Sequence, residues 1–85
     1  MPRHPQKRRT AKQRDFDKLH SMAHVAGLEA YDATDRQSPN AWRYHELAAL
    51  KFARAAEAAA ALGAPGLAEA YQESAAFHNA LAKKA

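Results

Sequence analysis

The chain has no cysteine and no isoleucine, and only three glycines and one tryptophan among its 85 residues. The absence of cysteine excludes disulfide bonds, thiol catalysis and zinc sites with thiolate ligands. No apolar run approaches the roughly 18 residues of a membrane span, and no apolar run of signal-peptide type follows the basic N-terminus. We therefore expect a soluble, cytoplasmic protein with no membrane contact.

Alanine supplies 23 of the 85 residues, and with leucine, glutamate, lysine and arginine it makes up more than half of the chain. This composition is typical of long or closely packed helices and excludes an all-β fold. A chain of this length is expected to hold one core, which excludes a two-domain enzyme. Leu, Val and Phe number only 11 in all, so the core must be thin and we expect self-association or a partner.

Positive charge is concentrated near the N-terminus, where residues 1–20 carry a net charge of +5 while the other 65 residues sum to −1. Pro2 and Pro5 argue against a helix in the first nine residues. The sequence therefore predicts a flexible basic arm over residues 1–9 and an alanine-rich three-helix domain over residues 10–85.

The first helix is predicted from a capping-box spacing between Thr10 and Gln13, and it extends to about Asp35. Apolar residues recur along it at alternating steps of three and four, which places them on one buried face. That face consists of Phe16, Leu19, Ala23, Ala26, Ala30 and Ala33.

The second helix is predicted to begin at Ser38 as N-cap, with Pro39 in its first turn, and to end at Gly63. Its spacing again alternates between four and three, and this predicts a second buried face. That face consists of Ala41, His45, Ala48, Phe52, Ala55, Ala59 and Leu62.

A turn over residues 63–66 is expected to reverse the chain into a third helix, which runs from about Pro65 to Lys83. The predicted inner face of this helix is Leu67, Tyr71, Ser74, His78 and Leu81. Short turns between three helices predict an all-α, up-down-up three-helix bundle with a long C-terminal antiparallel hairpin.

Catalytic motifs are missing from the sequence, which has no glycine-rich phosphate loop, no G-x-S-x-G elbow and no H-E-x-x-H. The acidic residues fall mainly on predicted polar helix faces, where solvation explains them. We therefore predict a protein that is not an enzyme and needs no cofactor.

Histidines allow two interpretations, because helical rise places His24, His45 and His78 at similar heights. Together with His20 they could hold zinc or another metal that prefers imidazole. Alternatively, neutral imidazoles form a polar layer by hydrogen bonding to Ser74, to Tyr44 or to one another. The sequence favours the polar layer and assigns no metal, because a His pair four residues apart is weak evidence for a metal site.

Basic side chains of the arm and the first helical turns provide an alternative function, because they could neutralise the phosphates of a nucleic acid. These residues are Arg3, Lys7, Arg8, Arg9, Lys12 and Arg14. No helix-turn-helix motif is present, and no aromatic residue lies among the first fifteen positions to stack on bases. Such binding is therefore predicted to be largely non-specific.

Apolar side chains outside the buried faces favour a protein-binding surface. Val25 and Leu28 point away from the first face, and Leu47 and Leu50 point away from the second. The predicted partner-binding residues are Val25, Leu28, Trp42, Arg43, Leu47, Leu50 and Arg54. The leading hypothesis is a non-enzymatic interaction module, an adaptor, regulator or inhibitor that covers the surface of a protein partner or of a second copy. A metal-binding bundle is the third possibility.

Overall fold

Three helices make up nearly all of residues 10–84, the part of the chain that a computed structural model describes. They are α1 (Ala11–Asp35), α2 (Ala41–Ala61) and α3 (Pro65–Lys84). The described residues contain no strand, so the predicted all-α class is confirmed. No helix within them is both long enough and apolar enough to cross a membrane. The predicted flexible arm, residues 1–9, lies outside the described residues.

Helix α1 begins at the predicted capping box. The backbone N–H of Gln13 donates to Oγ1 of Thr10 at 3.2 Å, and the backbone N–H of Thr10 donates to Oε1 of Gln13 at 3.0 Å. Two amide groups that a helix start leaves unpaired are thereby satisfied.

Helices α1 and α2 end in the same kind of turn, with one residue in the left-handed region after each helix. These residues are Gln37, with φ 54°, and Gly63, with φ 77°. The closing hydrogen bonds run from the Ser38 amide to the Ala33 carbonyl and from the Ala64 amide to the Ala59 carbonyl. This pattern is a Schellman motif, which glycine favours because it has no Cβ. The sequence predicts the left-handed residue at Gly63 but gives no comparable signal at Gln37.

The prediction that α2 begins at Ser38 is wrong, because α2 starts three residues later, at Ala41. The carbonyl of Ser38 accepts from the Ala41 amide at 3.1 Å, and Oγ of Ser38 accepts from the Asn40 amide at 3.3 Å. The serine hydroxyl therefore closes a turn of its own before the helix. Asn40 is the N-cap residue and makes no capping hydrogen bond through its side chain.

Helix α2 packs against both α1 and α3, whereas α1 and α3 meet mainly through long side chains. On the α1 side, Thr34 contacts His45, and Ala30 packs near Ala48. On the α3 side, His78 contacts His45, and Tyr71 contacts Phe52. In both pairs of helices, contacts that lie further along one helix therefore lie further back along its neighbour.

The buried interior consists mostly of methyl groups. Its apolar members, apart from Tyr71, are Ala23, Ala26, Ala30, Ala33, Ala41, Ala48, Ala49, Ala55, Ala56, Ala59, Ala68 and Ala75. His45 is the largest side chain that is fully buried. The core is therefore thin, as predicted, and each residue removes little apolar area from water.

The prediction that Leu67 lies on the inner face of α3 is wrong, because this side chain is 41% exposed. The buried residues of α3 are Ala68, Tyr71, Ala75 and His78. Leu67 lies in the first turn of α3, at the end of the helical assembly, and one residue along a helix rotates a side chain by about 100°. Because Ala68 takes the buried position there, Leu67 is left at the edge.

Candidate functional site

Helix α2 presents a polar and apolar surface to solvent on the side opposite its buried residues. We call it the outer face, and it consists of Arg43, Glu46, Leu47, Leu50, Ala53, Arg54 and Glu57. All seven residues are exposed. At 100° per residue they fit within an arc of about 120°. The two leucines and Ala53 lie between the charged residues, so the outer face has an apolar centre with charged ends.

The apolar centre continues onto both neighbouring helices. Leu47 and Leu50 are 44% and 48% exposed, and they line a depression of about 670 Å³ with Trp42 and residues of α3. On the other side, Leu47 lines a second depression with Met22 and Val25 of α1. Because Leu47 belongs to both, the apolar surface runs from α1 across α2 to α3.

Arg43 stacks on the indole of Trp42, with the guanidinium carbon 5.1 Å from the ring centroid. A cation–π contact of this kind contributes about 0.5–1 kcal/mol at an exposed site. It holds the indole at the edge of the apolar surface, where Trp42 remains partly exposed.

Most of the predicted partner-binding residues lie at this surface, but Leu28 does not. Leu28 is 61% exposed and lines a separate groove between α1 and α3. Arg54 belongs to the outer face but borders a different depression, beside Leu19 and Glu57. The sequence prediction missed Met22, although its spacing of three residues from Val25 places both on one side of α1.

A second cluster of polar groups is buried where the three helices meet. Nδ1 of His45 lies 2.9 Å from Nδ1 of His78, and Nε2 of His45 lies 2.6 Å from Oγ1 of Thr34. The predicted hydrogen bonding of histidines to one another is confirmed for this pair, but the further partner is Thr34 rather than Ser74 or Tyr44. Both imidazoles are 2% exposed.

We assign the hydrogen-bond directions in this cluster by placing the single hydrogen of the Thr34 hydroxyl toward the carbonyl of Ala30, 3.1 Å away, because that carbonyl can only accept. Oγ1 of Thr34 must then accept from Nε2–H of His45. A neutral His45 consequently has an unprotonated Nδ1, which accepts from Nδ1–H of His78. We therefore assign His78 as the tautomer with its lone pair on Nε2.

Burial favours the neutral form of both imidazoles. Removal from water lowers the pKa of His45 below its ordinary value. Removal from water also lowers the pKa of His78, and the nearby His45 lowers it further because two adjacent positive charges repel. Burial also raises the pKa of the Tyr71 hydroxyl.

The other two helical histidines form a separate group at the α1–α3 contact. Nδ1 of His20 is hydrogen-bonded to the hydroxyl of Tyr71, and the His20 ring stacks on Phe16 and His24. Over residues 10–84, no three histidine, aspartate or glutamate side chains come together in a way that could hold a metal ion.

Only two of the basic residues predicted to contact nucleic acid lie among the described residues. Lys12 and Arg14 lie in the first turn of α1, where both are exposed. Arg3, Lys7, Arg8 and Arg9 lie outside the described residues.

The described residues define a small all-α protein of three helices with an exposed apolar surface and a buried histidine pair. No protein-family model matches the chain, and no curated protein or solved structure is significantly similar to it.

Proposed function

We propose that this chain is a non-enzymatic protein-interaction module, an up-down-up three-helix bundle that covers the surface of its partner with the outer face of α2. A second copy of the chain is one such partner. The exposed apolar surface around Leu47 and Leu50 carries the proposal. Large apolar side chains are exposed to solvent, whereas the interior consists mostly of alanine. Exposed apolar surface of this kind is typical of interaction sites.

Charge on the outer face supports a second copy as the partner. If two α2 helices pair antiparallel about Leu50, each residue lies opposite the residue equally far from Leu50 in the other copy. Arg43 then lies opposite Glu57, and Glu46 lies opposite Arg54. All four charges of each outer face thereby meet the opposite sign, which is the self-complementarity that a two-fold interface requires.

The apolar centre is proposed to supply most of the affinity. In the antiparallel pairing Leu50 meets its own copy and Leu47 meets Ala53, so the leucines that are exposed in the single chain lose contact with water. Exposed ion pairs contribute only about 0–1 kcal/mol each. The charges therefore set the register of the pairing, while the leucines drive it.

Leu50→Asp is expected to abolish self-association, because the two new carboxylates face each other across the two-fold axis and replace the central apolar contact. Light scattering coupled to gel filtration measures the effect at a protein concentration of about 100 µM, which suits an interface at the small end of the range. Gln72→Asp is the matched control, since it adds the same charge at an exposed position of α3.

The control variant should keep the mass of the unmodified protein, and both variants should keep its helix content by circular dichroism. If the unmodified protein is monomeric at this concentration, a second copy is ruled out as the partner. If the Leu50→Asp variant has the same molecular mass as an unmodified dimer, the outer face is ruled out as the interface.

A further inference from the structure

The groove between α1 and α3 lies on the side of the protein away from the outer face, and the proposed interaction module makes no use of it. Its volume is about 590 Å³. The groove is lined by His24, Gly27, Leu28, Tyr31, Phe52, Ala70, Glu73, Ser74, Phe77 and His78. Phe52, its α2 residue, stands about 160° around that helix from Leu50. A molecule in the groove would therefore not touch the centre of the outer face.

One imidazole nitrogen is available at the floor of the groove. The rings of His78 and Phe52 stack there, with centroids 5.5 Å apart and an interplanar angle of 10°. Nδ1 of His78 is engaged by His45, whereas Nε2 has the lone pair and no hydrogen-bond partner in residues 10–84. No fully buried side-chain nitrogen or oxygen in this part of the chain lacks a partner. Nε2 is therefore not completely buried, and His78 lines the groove.

Gly27 lies next to this nitrogen. It lies inside α1, where a glycine destabilises the helix relative to alanine. A Cβ at this position would lie 3.4 Å from Cε2 of Phe52 and 3.6 Å from Nε2 of His78, which is ordinary van der Waals contact. Alanine would therefore fit. With glycine at this position, no methyl group of α1 lies against Nε2 of His78.

Aromatic and apolar side chains form the walls above the floor. Leu28, Tyr31 and Phe77 are all exposed despite their size. The ring of Tyr31 lies 5.2 Å from that of His78 and 6.5 Å from that of Phe77, measured between centroids. The floor and walls thus offer several ring surfaces around Nε2 of His78, with the polar side chains of His24, Glu73 and Ser74 elsewhere in the lining.

We propose that this groove binds a small, neutral aromatic molecule that has one N–H or O–H donor. The donor bonds to Nε2 of His78, and the ring packs against Phe52, Tyr31 and Phe77. The volume is within the range of small-molecule sites. An anion is disfavoured, because the imidazole lone pair and the carboxylate of Glu73 both repel it. The donor of the ligand would satisfy the one acceptor of the buried cluster that the protein leaves open.

Indole and 1-methylindole test the proposal on the full chain, because they differ in whether the ring nitrogen has a hydrogen to donate. In titrations followed by NMR, indole should bind saturably with a Kd of about 1 mM or tighter. Shifts should be centred on Leu28, Phe77 and the imidazole nitrogens of His78. Methylindole should bind about tenfold more weakly, because it cannot donate to Nε2. Equal affinity for the two probes, or shifts centred on Trp42 and Leu47, would overturn the proposal.

Three substitutions test the location of the site. Phe77→Ser removes one wall and should weaken indole binding about tenfold, whereas Leu50→Ser removes a comparably exposed side chain from the outer face and should leave binding unchanged. Gly27→Ala should raise the thermal stability and weaken indole binding at the same time, because the new methyl group crowds Nε2. Unchanged binding in both groove variants would contradict the proposal. Because the monomeric form has the same groove, failure of the outer-face proposal would not alter these expectations.

Discussion

Replacing His45 with alanine is expected to lower the free energy of unfolding by about 3 kcal/mol, a large share of the stability of a domain this small. His45 is the largest fully buried side chain, so its loss leaves a cavity among alanines that cannot close over it. The substitution also leaves Nδ1–H of His78 without its acceptor in the interior, and a buried donor without a partner costs about 1–3 kcal/mol.

Urea denaturation at pH 7 measures this loss, and His24→Ala is the matched control. It makes the same chemical change at an exposed position of α1, where the effect should stay within about 0.5 kcal/mol. A His45→Ala protein that is unfolded without denaturant, beside a folded control, also fits the expectation. A loss of less than about 1 kcal/mol for His45→Ala would show that the buried pair contributes little.

Acid is expected to destabilise the fold as the pH falls below about 6.5, where histidine in an unfolded chain begins to take up protons. Burial lowers the pKa of both His45 and His78 in the folded state, so below pH 6.5 the unfolded chain binds more protons than the folded one. Stability is therefore full above pH 6.5 and is lost as the pH falls. The slope approaches about 1.4 kcal/mol per pH unit for each histidine that remains neutral in the fold.

The groups around the pair do not supply a compensating charge in the folded state. His45 is contacted by Thr34 and by the neutral ring of Tyr31. Glu73 and His24 line the groove beside His78 and are both exposed, so water screens them. Histidine is the side chain whose ordinary pKa lies between pH 7 and pH 5, so this interval reports mostly on histidines.

Replacing both buried histidines with leucine is the control for the acid effect. Removing both partners of a buried hydrogen bond in favour of apolar side chains is close to neutral, so His45→Leu with His78→Leu should remain folded at pH 7. The urea midpoint of this double variant should change little between pH 7 and pH 5, while that of the unmodified protein falls. Parallel declines in the two proteins would contradict the assignment of acid sensitivity to the buried pair.

Local sequence rules predict those parts of the fold that local contacts decide. The capping box of Thr10 and Gln13 and the left-handed Gly63 involve residues close in the chain, so spacing and residue type suffice. The meeting of His45 with His78 also follows from counting helical rise outward from a short turn. By contrast, the start of α2 depends on whether the Ser38 hydroxyl closes a turn or caps the helix, and either choice satisfies the same residue preferences.

The candidate sites depend on how far the helices are rotated and separated, which periodicity does not fix. Predicting the contacts of Thr34 with His45 and of His20 with Tyr71 requires the distance between the helices as well as the face on which each residue lies. The groove arises because α1 and α3 meet through side chains rather than through backbone packing, and no pattern within either helix shows this. The outer face of α2 is easier to predict, because the periodicity of a single helix shows which side is buried and therefore which side is exposed.

The most direct test of self-association through the outer face is the dimer dissociation constant of a charge-reversal series, measured by sedimentation equilibrium. Arg43→Glu should weaken the dimer, because the new carboxylate lies opposite Glu57 of the other copy, once at each end of the interface. Combining Arg43→Glu with Glu57→Arg should restore the dissociation constant to near that of the unmodified protein, because the opposite signs then meet again. A double variant as weak as the single one, or an unmodified protein that stays monomeric throughout, would contradict the antiparallel pairing about Leu50.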